Sequence, residues 1–111
     1  MEVDQPNAAQ KRWREAVREI GSVVSGGQAV IHHPVGRKGK HNKIEIGHWW
    51  VLPLTDAEHK SLHNGETFGH PSRKDFEKDA FEQVRQKLLD RTPAEDWIPF
   101  EVCLAIMDYH R

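Results

Sequence analysis

Apolar and polar positions along the chain fall into stretches with different periods. From Ala8 to Ile20, the residues Ala9, Trp13, Ala16, Val17 and Ile20 recur on one helical face, with Lys11, Arg12, Glu15 and Arg18 off it. This predicts a helix capped by Asn7 and stopped by Gly21, with Trp13 in the core. A Gly- and Ser-rich approach then leads into a short apolar run, Gln28-Ala29-Val30-Ile31, that ends in His32-His33. Trp49, Trp50, Val51 and Leu52 are strong β-formers and predict a second strand from about Gly47 to Leu54, with Pro53 ending the pairing. Between the strands, His33 to about Glu45 reads as a loop rich in Gly and Lys. Thr55-Asp56-Ala57-Glu58 is a capping box that starts a helix, and Asn64-Gly65 stops it. Residues 28–65 therefore read as a ββα unit.

The remaining pattern is helical. Ser72-x-x-Asp75 is an N-cap signature ahead of Asp75 to Asp90, where Phe76, Ala80, Phe81, Val84, Leu88 and Leu89 keep helical spacing. Thr92-Pro93-Ala94-Glu95 starts a short turn, and Pro99 through Tyr109 predicts a final helix with Val102, Cys103 and Ile106 inward. The helices of 72–111 are expected to cover the back of the ββα unit, which is too small to hold a core alone. The fold class expected is α+β, a small ββα core flanked by N- and C-terminal helices.

Composition narrows the class. A chain of 111 residues is expected to form one domain, 1–111. Its apolar runs fall short of the roughly 20 residues of a membrane span. The N-terminal residues lack the charged-then-apolar plan of a signal peptide, so a cytoplasmic location is expected, with no membrane partner. The single cysteine, Cys103, excludes an internal disulfide and a cysteine-built zinc site. A net charge of −1 argues mildly against a nucleic-acid partner, but the charge is unevenly placed. Arg37, Lys38, Lys40 and Lys43 follow His33 with no acid among them, whereas acids outnumber bases from Asp90 onward. The four cations are read either as a solvated loop or as contacts to nucleic-acid phosphates, which would be sequence-independent and salt-sensitive.

The histidines carry the chemistry. Neighbours on a strand point to opposite faces, so His32 and His33 can take different tasks. His59 and His63, four apart on the capped helix, share one face. A His-x-x-x-His pair or a His-His dipeptide alone is weak. Their conjunction within about thirty residues predicts a metal site, with two ligands from the helix, one from the strand-end pair and a spare histidine beside them. A closed structural zinc site is the competing reading, although it usually has four protein ligands and often cysteine. Trp49 and Trp50 adjoin on one strand, so one is expected to face the core and the other outward, under helix cover or stacked on a base.

The His32-His33 … His59-x-x-x-His63 arrangement resembles the His-Me finger (ββα-metal, HNH-like) nucleases, colicin-type DNases among them. Trp13-x-x-Ala16-Val17, Ile20-Gly21, Ile31-His32-His33, Gly36-Arg37, Leu52-Pro53-Leu54 and Lys74-x-Phe76-Glu77 are similar to the phage recombination-enhancement (Ref) nucleases, up to about Leu89. That resemblance implies a metal-dependent endonuclease acting on DNA in a phage or prophage setting, with a RecA-type recombinase filament as a partner. It implies that His33 is the general base and that His32, His59 and His63 hold one divalent ion. His48 would brace the loop and orient the base, the other reading being a partly buried strand residue. His70, in His70-Pro-Ser-Arg-Lys74, falls where a Ref-like histidine sits and competes with His63 as third ligand, helical geometry favouring His63. Ser22 and Ser25 stand where Ref-like proteins tend to carry a cysteine pair, which implies that an accessory zinc has been dispensed with. Three imidazoles bias the ion toward Zn, Mn, Ni or Co over Mg, which prefers oxygen ligands. The rivals are an RNase using the same finger and a non-catalytic, zinc-stabilised DNA-binding or interaction module.

Overall fold

A computed structural model describes residues 5–110. Met1–Asp4, on which much of the signal-peptide reading rests, and Arg111 lie outside the described residues. Within that range the chain is a small α+β domain with four α-helices and two antiparallel sheets of two strands each. The order is α1 (Ala8–Glu19), β1 (Val30–His32), β2 (Lys40–His41), β3 (Ile44–Glu45), β4 (Leu52–Leu54), α2 (Asp56–His63), α3 (Arg73–Leu88), a 3₁₀ turn (Ala94–Asp96) and α4 (Phe100–Tyr109). No helix among the described residues is long and apolar enough to cross a membrane.

Capping chemistry sets the helix starts. Asn7 accepts from the Gln10 backbone N–H at 2.8 Å, and the Gln10 side chain accepts from the Asn7 N–H at 2.7 Å. Ile20 caps the other end and Gly21, at φ 81°, turns the chain away as only glycine does without strain. Thr55 and Glu58 form the same reciprocal pair at the start of α2. The buried Ser22 hydroxyl donates to the Glu58 carboxylate and accepts from the N–H groups of Val24 and Ser25, so it ties the loop after α1 to the α2 cap. Ser72 accepts from the Asp75 N–H at 3.1 Å, which makes Ser72 itself the cap. α3 therefore starts at Arg73 rather than Asp75.

Three strand expectations need correction. First, the segment read as a loop from His33 to Glu45 contains the β2–β3 hairpin, with Lys40 opposite Glu45 and His41 opposite Ile44. Its two-residue turn places Asn42 and Lys43 at φ 51° and 68°, the left-handed pair that matches the twist of paired strands. Second, the strand expected over 47–54 is only Leu52–Leu54. The Ile46 carbonyl accepts from both Trp49 N–H (3.0 Å) and Trp50 N–H (2.7 Å), so 46–50 is a turn without strand alternation. Both tryptophans are buried as a result, and neither faces outward. Third, Pro53 lies inside the pairing, opposite Ile31. Its carbonyl accepts from Val23 N–H, so its backbone faces away from β1 and the missing N–H breaks no rung.

The core is one cluster. Trp13 and Val17 of α1, Trp50, β4, Phe76, Phe81 and Val84 of α3 and Ile106 of α4 are among its members. The Trp13 indole N–H donates to the Trp49 carbonyl at 2.8 Å, satisfying both groups in the interior. Val102, Cys103 and Ile106 are buried as expected. Leu89 is not: it is 62% exposed, because α3 ends at Leu88 and the next position rotates off the apolar stripe.

Candidate metal centre and adjoining cleft

β1 and β4 pair antiparallel, with His32 opposite Leu52, and α2 follows β4 directly. This brings the last residue of β1 against the exposed side of α2. The imidazole of His32 lies 5.0 Å from that of His59 and 5.8 Å from that of His63, centroid to centroid, and the two helical rings are 4.6 Å apart. One potential ligand nitrogen from each of the three lies within 4.8 Å of the others. His32 is 1% exposed, His59 half-buried and His63 exposed, so the group opens toward solvent on one side.

The donor set suits a divalent ion. His59 Nε2 and His63 Nε2 are 3.1 Å apart. Two nitrogens bound at 2.0–2.1 Å to one tetrahedral ion sit about 3.3 Å apart, so that spacing needs little adjustment. Burial, followed by His32 and His63, lowers the pKa of His59, which keeps its lone pair available. The three imidazoles can hold a metal ion.

Glu77 joins the candidate site, although sequence reading gave it no role. Its carboxylate is 8% exposed and lies 2.8 Å from His32 Nε2, with Arg73 Nε donating to the same oxygen at 3.4 Å. A carboxylate only accepts, so His32 Nε2 carries the proton and Nδ1 retains its lone pair. The signal was present in the pattern. Glu77 lies on the buried stripe of α3, seven residues before Val84 and four before Phe81, where an acid is out of place unless it has a partner.

His33 turns the other way. It lines an open cleft of about 530 Å³ with Arg14, Arg18, Arg37 and His59. Burial, then the Arg37 guanidinium and His48, with Arg14 adding to them, lower its pKa to about 4. It is therefore neutral at pH 7. Its Nε2 is buried and has no hydrogen-bond partner among the described residues. His48 lies with its ring 6.4 Å from that of His33, edge to face, and its Nε2 is likewise buried without a partner. It is 7% exposed and sits in the 46–50 turn, so it is not the partly buried strand residue of the alternative reading.

His70 is engaged elsewhere. Its Nε2 lies 3.2 Å from Asp79, and Nδ1 faces the carbonyls of Thr67 and Phe68. The hydrogen bond to Asp79 raises its pKa. The nitrogen cluster includes His63, not His70. The four loop cations separate. Arg37 lines the cleft, Lys38 and Lys40 are exposed, and Lys43 lines a different hollow with Asn7, Gln10 and Glu101. Arg14 and Arg18, four apart on α1, take the places beside His33 that sequence reading gave to the loop lysines. No family model matches the chain, and no curated protein or solved structure matches it.

Proposed function

We propose that this protein is a metal-dependent DNA endonuclease, in which β1, β4 and α2 form a ββα-metal (His-Me finger) core. The observation that carries this reading is the convergence of three imidazoles beside a neutral histidine that lines a cleft bearing arginines. Phosphodiester hydrolysis needs a deprotonated nucleophile, charge stabilisation on the phosphoryl oxygens and help for the departing oxygen. A divalent ion would be held by His32, His59 and His63 and would supply Lewis-acid stabilisation of that charge.

The chain's own residues do the rest. His33, neutral and lining the cleft, accepts the proton of the attacking water. His48 packs behind it and limits how the base can turn. Glu77 fixes the tautomer of His32, which leaves Nδ1 with the lone pair that a metal ion would need. Arg37 holds a phosphate oxygen. The resemblance to the phage recombination-enhancement nucleases extends the proposal to a phage or prophage setting and to a RecA-type filament as partner.

The test is incubation of supercoiled plasmid, and separately of RNA, with added Mg, Mn, Co, Ni or Zn, with and without a recombinase filament, for wild type and His33→Ala. Plasmid nicking that falls by about 10² or more in His33→Ala is expected for loss of a general base. Equal cleavage by both proteins removes His33 from the base role. Cleavage of RNA alone makes the protein an RNase. No cleavage under any condition, with tight stoichiometric metal, leaves a zinc-stabilised binding module.

A further inference from the structure

We infer that Arg14 of α1 and Arg37 of the loop after β1 form a clamp for consecutive phosphates of a DNA strand, making α1 one wall of the substrate channel. The inference rests on the nuclease reading above and adds to it a binding element that lies well outside the histidine segment.

Three observations carry it. Arg14 is half-buried and Arg37 exposed, and neither side chain has a hydrogen bond or ion pair among the described residues. Arg12 is matched with Asp96, Arg18 with Glu15, Arg73 with Glu77 and Arg85 with Glu82, while Arg91, unmatched among the described residues, is exposed and does not line this cleft. A partly desolvated guanidinium without a counter-charge is costly, and an external anion relieves that cost. Second, Arg14 and Arg37 line the same cleft as His33 and His59, so their unmatched charge lies where the proposed base and one proposed ligand meet. Third, the position of Arg37 is built in. A Cβ on Gly47 would lie 2.4 Å from the Arg37 carbonyl oxygen and 2.3 Å from that of Gly36, so only glycine there admits the loop against the 46–50 turn.

The occupant follows from shape and chemistry. The planar guanidinium fork suits bidentate pairing with phosphate oxygens. A cleft of about 530 Å³, lined also by Val30 and Ile31, is far larger than one phosphate requires. Toward the Arg18 end, Glu15 already neutralises the cation, so the attraction is concentrated at Arg14 and Arg37.

The experiment is fluorescence anisotropy of a fluorescein-labelled 20-base-pair duplex, in EDTA so that cleavage does not interfere, across a salt series. Wild type, Arg14→Gln, Arg37→Gln, the double variant and Lys43→Gly are compared, with thermal melts confirming that each folds. Each arginine variant should bind about tenfold more weakly and lower the slope of log K against log salt by about 0.9, the double variant by about twice that. Lys43→Gly should match wild type. If wild type binds the duplex and the arginine variants bind it equally well with the same slope, the clamp is wrong while the nuclease reading stands. If wild type binds no duplex and cuts no plasmid, the nuclease reading itself fails. Displacement of the duplex by inorganic phosphate at low millimolar concentration would mark a site for a small anion and overturn the strand channel.

Discussion

In α2, Thr55 and Glu58 satisfy each other's backbone donors within four residues, and the helix they start carries His59 and His63 on one face. The segment from Pro34 to Gly47 also leaves the neighbourhood of His33, but its course is set by distant contacts. Ile46 N–H and Gly47 N–H both donate to the Gly39 carbonyl, and Gly47 lies against the carbonyls of Gly36 and Arg37. His41 and Asn42 reach Asp108 of α4. The first region orients its functional groups by local rules. The second orients them by where the chain doubles back, which is why one cation of four enters the cleft and another, Lys43, lines a hollow beside α4.

The sharpest way to break this contrast is Gly47→Ala. The added methyl meets backbone oxygen on two residues, neither of which can rotate away. Overpacking of this kind costs about 1–3 kcal/mol, and here the upper end is expected. Urea unfolding measures the loss, and DNA binding should weaken with it as Arg37 shifts. An unchanged midpoint would show that the loop is not set by this contact.

A second substitution probes the histidine side. Glu77→Ala removes the acceptor that fixes His32, and losses of about 10–100-fold in metal affinity are typical for such partners. Cobalt titration followed by visible absorption reads this directly, and Glu77→Gln, which still accepts a hydrogen bond, should recover most of it. Equal cobalt affinity in wild type and Glu77→Ala would remove Glu77 from the site.

The smallest effect is expected at the hairpin tip. Lys43 sits at φ 68°, where a residue with Cβ costs roughly 1–2 kcal/mol relative to glycine. Glycine returns about 0.5–1 kcal/mol of that in chain entropy, so Lys43→Gly should stabilise the fold by about 0.5 kcal/mol. Thermal denaturation should show a rise of a few degrees at most. A fall would mean that the lysine side chain makes a stabilising contact.

Legibility from sequence followed the range of the forces involved. The helix starts at Asn7 and Thr55 and the inward faces of α1, α3 and α4 were readable, because caps and stripes are decided within a few residues. His59 and His63 were readable as a pair because a capped helix fixes their common face, whereas the choice of His32 over His33 came from the family resemblance. The 46–50 turn was not, since Trp49, Trp50 and Val51 have strand propensities that packing against Trp13 and α4 overrides. Glu77 was visible as an anomaly on an apolar stripe, but its partner is 45 residues away.

By itself, the sequence determined which residue types could do chemistry and which local elements would carry them. Periodicity, capping and the spacing of four between His59 and His63 act over one or two turns, and short-range sterics and hydrogen bonds suffice to enforce them. Only the tertiary structure decided which charges face the histidines. It brought Arg14 from α1 beside His33, carried Lys43 away to α4 and buried Glu77 against His32. Those choices depend on chain reversals closed by contacts far apart in sequence, and no local pattern records where a distant side chain will arrive.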